Sequence, residues 1–272
     1  MTARRVAFVD SGVGLVGHAD ALHALRPDLG LVLSLDPDNM PYGPRTPDEV
    51  RRLILASARA ALPHRPDAIV VACNTASVHG LEALRAELEP GIPVIGTVPA
   101  IRPAALAGGP LAVWATAATT SSAYLRGLVD AFAQDTETYA VAALGLAEAI
   151  ESGAVEAVDA AIEAAVRHTP ADVRGLVLGC THYGLVGDRI AAALQRAGVG
   201  GVDGPVTVFD SPDAVARQTL RRLGLEPDPG AAPTGRVEQV LLSGRPGSLP
   251  EQLRTHPAGA RLLGAVRHTL AP

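Results

Sequence analysis

Two short apolar runs, each ending at one of the chain's only two cysteines, constrain the fold more than any other feature of the sequence. The first reads Asp67-Ala68-Ile69-Val70-Val71-Ala72-Cys73-Asn74-Thr75-Ala76-Ser77, and the second Gly175-Leu176-Val177-Leu178-Gly179-Cys180-Thr181-His182-Tyr183. Runs this short, rich in Ile, Val and Leu and bounded by turn and small polar residues, fit strands of a parallel sheet covered on both faces better than helices. Each places a thiol at the carboxyl end of a strand, where ligands of open α/β sheets collect. Asn74, Thr75 and Ser77 are expected to cap a helix from His79 to Leu88, and a helix is also expected behind Cys180.

The rest of the chain alternates in the same way, twice over. Val6–Val9 reads as a strand running into Asp10-Ser11-Gly12-Val13-Gly14 and a helix to Leu25. Leu31–Leu35 is the next strand, followed by a proline-stiffened loop from Asp38 to Pro47 and a helix from Asp48 to Leu62. Beyond the Cys73 strand come a strand at Ile92–Gly96 and a hinge from Thr97 to Ala104. The pattern then restarts with a strand at Leu111–Ala115, polar residues Thr116 to Ser122 and a helix from Ala123 to Phe132. A strand at Thr138–Ala142 and a helical stretch from Leu146 to His168, broken at Ser152-Gly153, lead to the Cys180 strand. The separation from Asp10 to Cys73 nearly equals that from Ala115 to Cys180, which points to two similar α/β lobes. After a glycine-rich link from Gly198 to Gly204 come a strand from Val206 and a helix through Leu223. The remainder, a Pro/Gly-rich loop around Pro227 to Gly235, a strand at Val237–Leu242 and a terminal helix, is expected to return to the first lobe. The expected division is therefore 1–96 with 208–272, and 97–207.

With 272 residues, 48% of them hydrophobic and 19% charged, the chain can bury two such cores, and no disorder class applies. No apolar run reaches membrane-spanning length, and no signal peptide is read at the start. Two cysteines build no disulfide framework, so a cytoplasmic, reducing location is expected. The net charge of -5 and 3% aromatic content leave neither a basic footprint nor a stacking surface for nucleic acid. All 23 basic residues are arginine, and the absence of lysine removes Schiff-base, pyridoxal phosphate and Walker-type phosphate-loop chemistry. Gly12, Gly14 and Gly17 satisfy a G-x-G-x-x-G spacing, but without an unambiguous acidic partner downstream the motif does not specify a dinucleotide.

A single thiol at a strand end is as readily core filler as catalyst. Its duplication at the equivalent place of a second lobe favours a paired role over core packing or a redox pair. Metal binding is weaker, because Cys180 and His182 have no further ligands at zinc spacing. Two acid/base groups on opposite faces of one carbon suit a 1,1-proton transfer, in which one thiolate removes a proton and the opposite thiol delivers one. Each thiol then needs neighbours that favour the thiolate, and Asn74 with Thr75, and Thr181 with His182, directly follow them. Asp10 stands at the end of the first strand, ready to hold an ammonium or exchange protons.

At these residues the chain resembles the glutamate racemases of the aspartate/glutamate racemase superfamily. The resemblance is carried in order by Asp10-Ser11-Gly12-Val13-Gly14, Pro41-Tyr42-Gly43, Ala72-Cys73-Asn74-Thr75-Ala76-Ser77, Pro93-Val94-Ile95-Gly96 and Leu178-Gly179-Cys180-Thr181-His182-Tyr183. It implies two pseudo-symmetric three-layer α/β lobes with mainly parallel sheets and a site in the cleft between them. It implies a cofactor-independent enzyme with no metal, Cys73 and Cys180 as the two bases, and Asp10 and His182 assisting them. Ser11, Tyr42, Gly43, Asn74, Thr75, Thr116, Thr119 and Thr181 would bind the amino acid, with Glu151 added as the family's acidic residue. The product would be D-glutamate for bacterial peptidoglycan. The chain departs from the family pattern at Leu15-Val16-Gly17, at Gly184 and from Ala143 to Glu151. A racemase of aspartate or a hydantoin, or a non-catalytic binding member of the fold, is the alternative, and a homodimer is left open.

Overall fold

The structure, a computed structural model, describes residues 4–201 and 204–266. These residues pack as two compact units, one formed up to Thr97 and again from Pro212, the other from Val98 to Ser211. Positions 202 and 203 of the expected glycine-rich link lie outside the described residues.

The first unit begins β1 (Arg5–Asp10), α1 (Leu15–Leu25), β2 (Gly30–Leu35), α2 (Pro47–Ala61), β3 (Ala68–Val71), α3 (Asn74–Leu88) and β4 (Val94–Gly96). The second contains α4 (Ile101–Ala107), β5 (Leu111–Ala115), α5 (Ala117–Thr120), α6 (Ala123–Phe132), β6 (Thr138–Ala142), α7 (Leu146–Ser152), α8 (Val155–Arg167), β7 (Gly175–Leu178), α9 (Gly187–Arg196) and β8 (Thr207–Phe209). The chain then completes the first unit with α10 (Pro212–Leu223), β9 (Val237–Leu242), β10 (Arg245–Pro246) and α11 (Pro257–Ala265). Because β8 pairs with β7, the chain leaves the second unit only after that strand, at Ser211.

The first sheet runs β10-β9-β2-β1-β3-β4 and the second β6-β5-β7-β8. Within the first, the order β2-β1-β3-β4 matches the second strand for strand, so β1 corresponds to β5 and β3 to β7. All pairings are parallel except β10 on β9. In each sheet the connections leave the first strand in one direction and return on its other side, which makes the crevice beyond the carboxyl ends of β1 and β3, or of β5 and β7, the topological switch point.

Local chemistry explains the elements that frame these crevices. β1, β3, β5 and β7 are buried along almost their whole length, as strands covered by helices on both faces must be. In the first unit α2 packs on α3, and α1 packs on α10 and α11. The α2 start carries a full capping box: Thr46 accepts from the Glu49 amide while Glu49 accepts from the Thr46 amide, with Pro47 in the first turn. The expected break at Ser152-Gly153 separates α7 from α8, where Gly153 takes a left-handed φ of 72°.

Two expectations about helix starts are corrected. The helix after the first thiol begins at Asn74, not His79, so Asn74, Thr75 and Ser77 lie in its opening turns and none caps it through its side chain. Cys73 itself, extended at φ -135° and ψ 120°, occupies the N-cap position. Ser77 instead turns inward, donating to the Val71 carbonyl and accepting from the Thr97 amide. After the second thiol a 3-10 turn from Thr181 to Val186 precedes α9, a segment containing Gly184 and ending against Gly187, residues with poor α-helical propensity.

Candidate active site

The sequence-selected residues fall into two sets, one per unit, each at the carboxyl edge of its sheet. In the first unit β1 ends at Asp10, which is fully buried, and Ser11 follows it. One Asp10 carboxylate oxygen accepts from the Ser11 amide at 2.6 Å and the Ser11 hydroxyl at 3.3 Å. That hydroxyl is 4.0 Å from the Cys73 sulfur. Asp10, Ser11 and Cys73 therefore form a continuous polar chain across the β1/β3 crevice. Cys73 is 6% exposed and is not in a disulfide. At the N-cap of the 15-residue α3, its sulfur lies at the positive end of a helix dipole, the environment that favours a thiolate. Asn74 and Thr75 occupy the first positions of that helix, Asn74 buried and Thr75 half-buried.

Tyr42 reaches the same region from the loop after β2. Its ring is 1% exposed and belongs to the apolar cluster that contains Val71 and Cys73. Its hydroxyl donates to the Asp36 carboxylate at 2.8 Å. Burial, and then the negative charges of Asp36, Cys73 and Asp10, push the phenol far above its ordinary range, so Tyr42 stays a neutral donor at every working pH. The expected substrate role for this hydroxyl thus meets a donor proton already committed to Asp36. Half-buried Gly43 follows it in the turn.

In the second unit the Gly179 amide donates to the Trp114 carbonyl at 2.7 Å, just as the Ala72 amide donates to Val9 at 2.9 Å in the first. A Cβ on Gly179 would sit 2.9 Å from the Ala115 Cβ, so glycine lets this extension of β7 lie tightly against β5. Cys180 follows, half-buried and not in a disulfide, with its sulfur 3.9 Å from the His182 Nδ1. The other imidazole nitrogen, Nε2, is 2.8 Å from the Glu151 carboxylate on α7. His182 is 3% exposed, so this ring is held from both sides. Glu151, expected among the substrate ligands, stands within hydrogen-bond distance of His182. Behind them the Tyr183 phenol, buried and close to the charges of Cys180 and Glu148, is raised well above its ordinary pKa and donates to the Ala143 carbonyl at 3.2 Å.

Thr116 and Thr119 stand at the end of β5. Thr116 caps α5, accepting from the Thr119 amide, and the two hydroxyls are 3.0 Å apart. Thr181 opens the 3-10 turn beside Cys180. Two residues that the sequence reading did not select also belong to the first set, Asp36 and Ser243. Asp36 stands at the carboxyl end of a strand as Asp10 does, which was the available signal; Ser243 carried none. Among the described residues no group of three His, Cys, Asp or Glu side chains is arranged to hold a metal ion, and no helix is long and apolar enough to cross a membrane.

The family profile described as Asp/Glu/Hydantoin racemase matches residues 18–219. A glutamate racemase of Pseudomonas putida is 36% identical over 224 residues, covering 80% of this chain and 81% of that one. Among solved structures, Escherichia coli glutamate racemase in complex with L-glutamate and the activator UDP-MurNAc-ala superposes with a TM-score of 0.77 at 27% identity, covering 96% of this chain and 92% of that one. Glutamate racemase from Thermus thermophilus, in complex with beta-chloro-D-alanine, gives a TM-score of 0.67 at 29% identity and covers 97% of this chain and 96% of that one.

Proposed function

Since the chain belongs to the Asp/Glu/Hydantoin racemase family, we propose that it interconverts L- and D-glutamate with no cofactor, using Cys73 and Cys180 as bases on opposite faces of the α-carbon. The observation that carries this reading is the equivalence of the two thiols: each follows the same strand of the same four-strand order, one residue past a conserved ladder geometry within this chain. In the forward direction one thiolate takes the α-proton while the opposing thiol gives its own proton to the other face. The carbon inverts, and the two sulfurs exchange protonation states. A proton must then pass between them through solvent or through neighbouring groups before the next turnover in the same direction.

The two thiols are supported by different means. For Cys73 the helix N-terminus lowers the cost of negative charge, and Asp10 acts through Ser11. For Cys180 the six-residue 3-10 turn offers less dipole, and His182 supplies the charge or the proton, with Glu151 fixing which ring nitrogen faces the sulfur. Ser11, Asn74, Thr75, Thr116, Thr119 and Thr181, with the Gly43 backbone, are proposed to hold the substrate carboxylates and ammonium. Tyr42 is proposed to serve on the Cys73 side through its buried ring, its hydroxyl donating to Asp36.

The proposed setting is a bacterial cytoplasm, with D-glutamate feeding peptidoglycan and a homodimer as the assembly to be tested. The deciding experiment follows racemisation and α-proton exchange in D₂O for L- and D-glutamate, aspartate and a hydantoin, with no cofactor added. Turnover of glutamate supports the reading; turnover of another acid alone reassigns the substrate within the family; exchange with none of them overturns it.

A further inference from the structure

Asp36 and Ser243 are 207 positions apart in sequence, yet they meet because β2 and β9 pair in parallel with Leu35 opposite Leu242. Each is the first residue beyond its strand. The Ser243 amide extends the ladder by donating to the Leu35 carbonyl at 2.7 Å, and its hydroxyl donates to Asp36 at 2.7 Å. The same hydroxyl oxygen accepts from the Asp38 amide at 3.2 Å. Asp36, 4% exposed, also accepts from Asn39 at 2.9 Å and from Tyr42 at 2.8 Å. A buried carboxylate with three neutral donors holds each of them firmly, since leaving any position empty would cost its desolvation.

Ser243 adopts φ 47°, a left-handed conformation that side chains other than glycine seldom take. Gly244 follows with φ 80° and turns the chain into β10, where Arg245 pairs with Asp38 at 2.6 Å. The strained position is occupied by a residue whose hydroxyl is used twice. A brace thus runs from the β9–β10 turn through Asp36 to Tyr42, and the Tyr42 ring shares an apolar cluster with Cys73.

We propose that Asp36 and Ser243 are positioning residues for the reaction, acting through Tyr42 to hold the Cys73 thiol covered and correctly placed. The claim rests on the racemase reading for its kinetic consequence, but its structural part concerns Cys73 alone. Displacement of a reacting group by even an ångström costs rate rather than binding, so the effect belongs in kcat.

The test compares Ser243→Gly, Asp36→Asn and Ser243→Asn with the unaltered protein. Ser243→Gly removes the hydroxyl while relieving the left-handed strain, so part of the stability lost with its two hydrogen bonds is offset and the variant stays folded. Ser243→Asn tolerates the same backbone conformation and retains a donor. Two readouts are taken: kcat and KM for glutamate, and the rates of iodoacetamide labelling of Cys73 and Cys180, resolved by peptide mass spectrometry. Expected for Ser243→Gly and Asp36→Asn are a loss in kcat of about tenfold with KM within about twofold, and labelling of Cys73 faster by about threefold or more while Cys180 is unchanged. Ser243→Asn should recover most of both effects. Unchanged Cys73 labelling, or equal acceleration at both cysteines, would overturn the proposal. If the unaltered protein turns over no glutamate, the racemase reading fails, and the ratio of the two labelling rates still decides whether the brace acts on Cys73.

Discussion

Replacing Glu151 tests whether His182 works as an oriented imidazole beside Cys180. The bond between them is 2.8 Å long, with His182 at 3% and the Glu151 side chain at 19% exposure, so solvent screens it little. A hydrogen bond to a charged group contributes about 1.5–3 kcal/mol, against about 0.5–1.5 kcal/mol for a neutral pair. Glu151→Ala should therefore lower kcat/KM by roughly 10- to 150-fold, taking 1.36 kcal/mol per tenfold. Glu151→Gln keeps a neutral partner and should lose about 1–1.5 kcal/mol, or roughly 5- to 13-fold. Because the equilibrium between enantiomers is fixed, both directions must fall together in kcat/KM. Racemisation is followed by optical rotation starting from each enantiomer, with iodoacetamide labelling of the two cysteines as a local probe. The labelling rate of Cys180 should change while that of Cys73 does not. Activity of Glu151→Ala within about twofold of the unaltered protein would refute the reasoning.

Two further perturbations probe the first unit. His18 is fully buried on α1, and desolvation lowers its pKa from 6.5 to about 4. The unfolded chain then takes up a proton before the folded one does, so stability is complete above about pH 7 and falls as the pH drops from about 6.5 toward 4, by about 3 kcal/mol. Urea unfolding of the unaltered protein and of His18→Gln at both ends of that window checks this, and a difference between them that does not vary with pH would contradict it. Gly80→Ala in α3 would gain about 1 kcal/mol of helix propensity. Its new methyl would collide with the Cγ2 of fully buried Ile54 on α2, an overpacking cost of about 1–3 kcal/mol. Net destabilisation is expected in thermal unfolding, and a stabilised variant would show that the α2–α3 contact yields freely.

The alternation of strands and helices was legible because covered parallel strands must be continuously apolar, and Ala68–Val71 and Gly175–Leu178 carry that signature without ambiguity. The thiols were legible for the same reason: they punctuate those strands. The start of α3 was misread because Asn74, Thr75 and Ser77 have the side chains of cap residues, whereas the N-cap is defined by backbone conformation and Cys73 adopts it. The Glu151–His182 bond spans 31 positions and depends on how α7 packs near the turn after β7. Local pattern contains nothing of that relation. Ser243 is the extreme case, since its partner Asp36 is chosen by the register of β9 on β2 and by no feature of its own neighbourhood.

Early product labelling in D₂O tests the two-thiol account most directly. Starting from protiated L-glutamate, the account predicts that the first D-glutamate formed carries solvent deuterium at the α-carbon while remaining L-glutamate keeps its protium, because removal and delivery use different groups. Cys73→Ala and Cys180→Ala should each abolish this conversion in folded protein. Deuterium appearing equally in substrate and product, or normal conversion by either single variant, would contradict it.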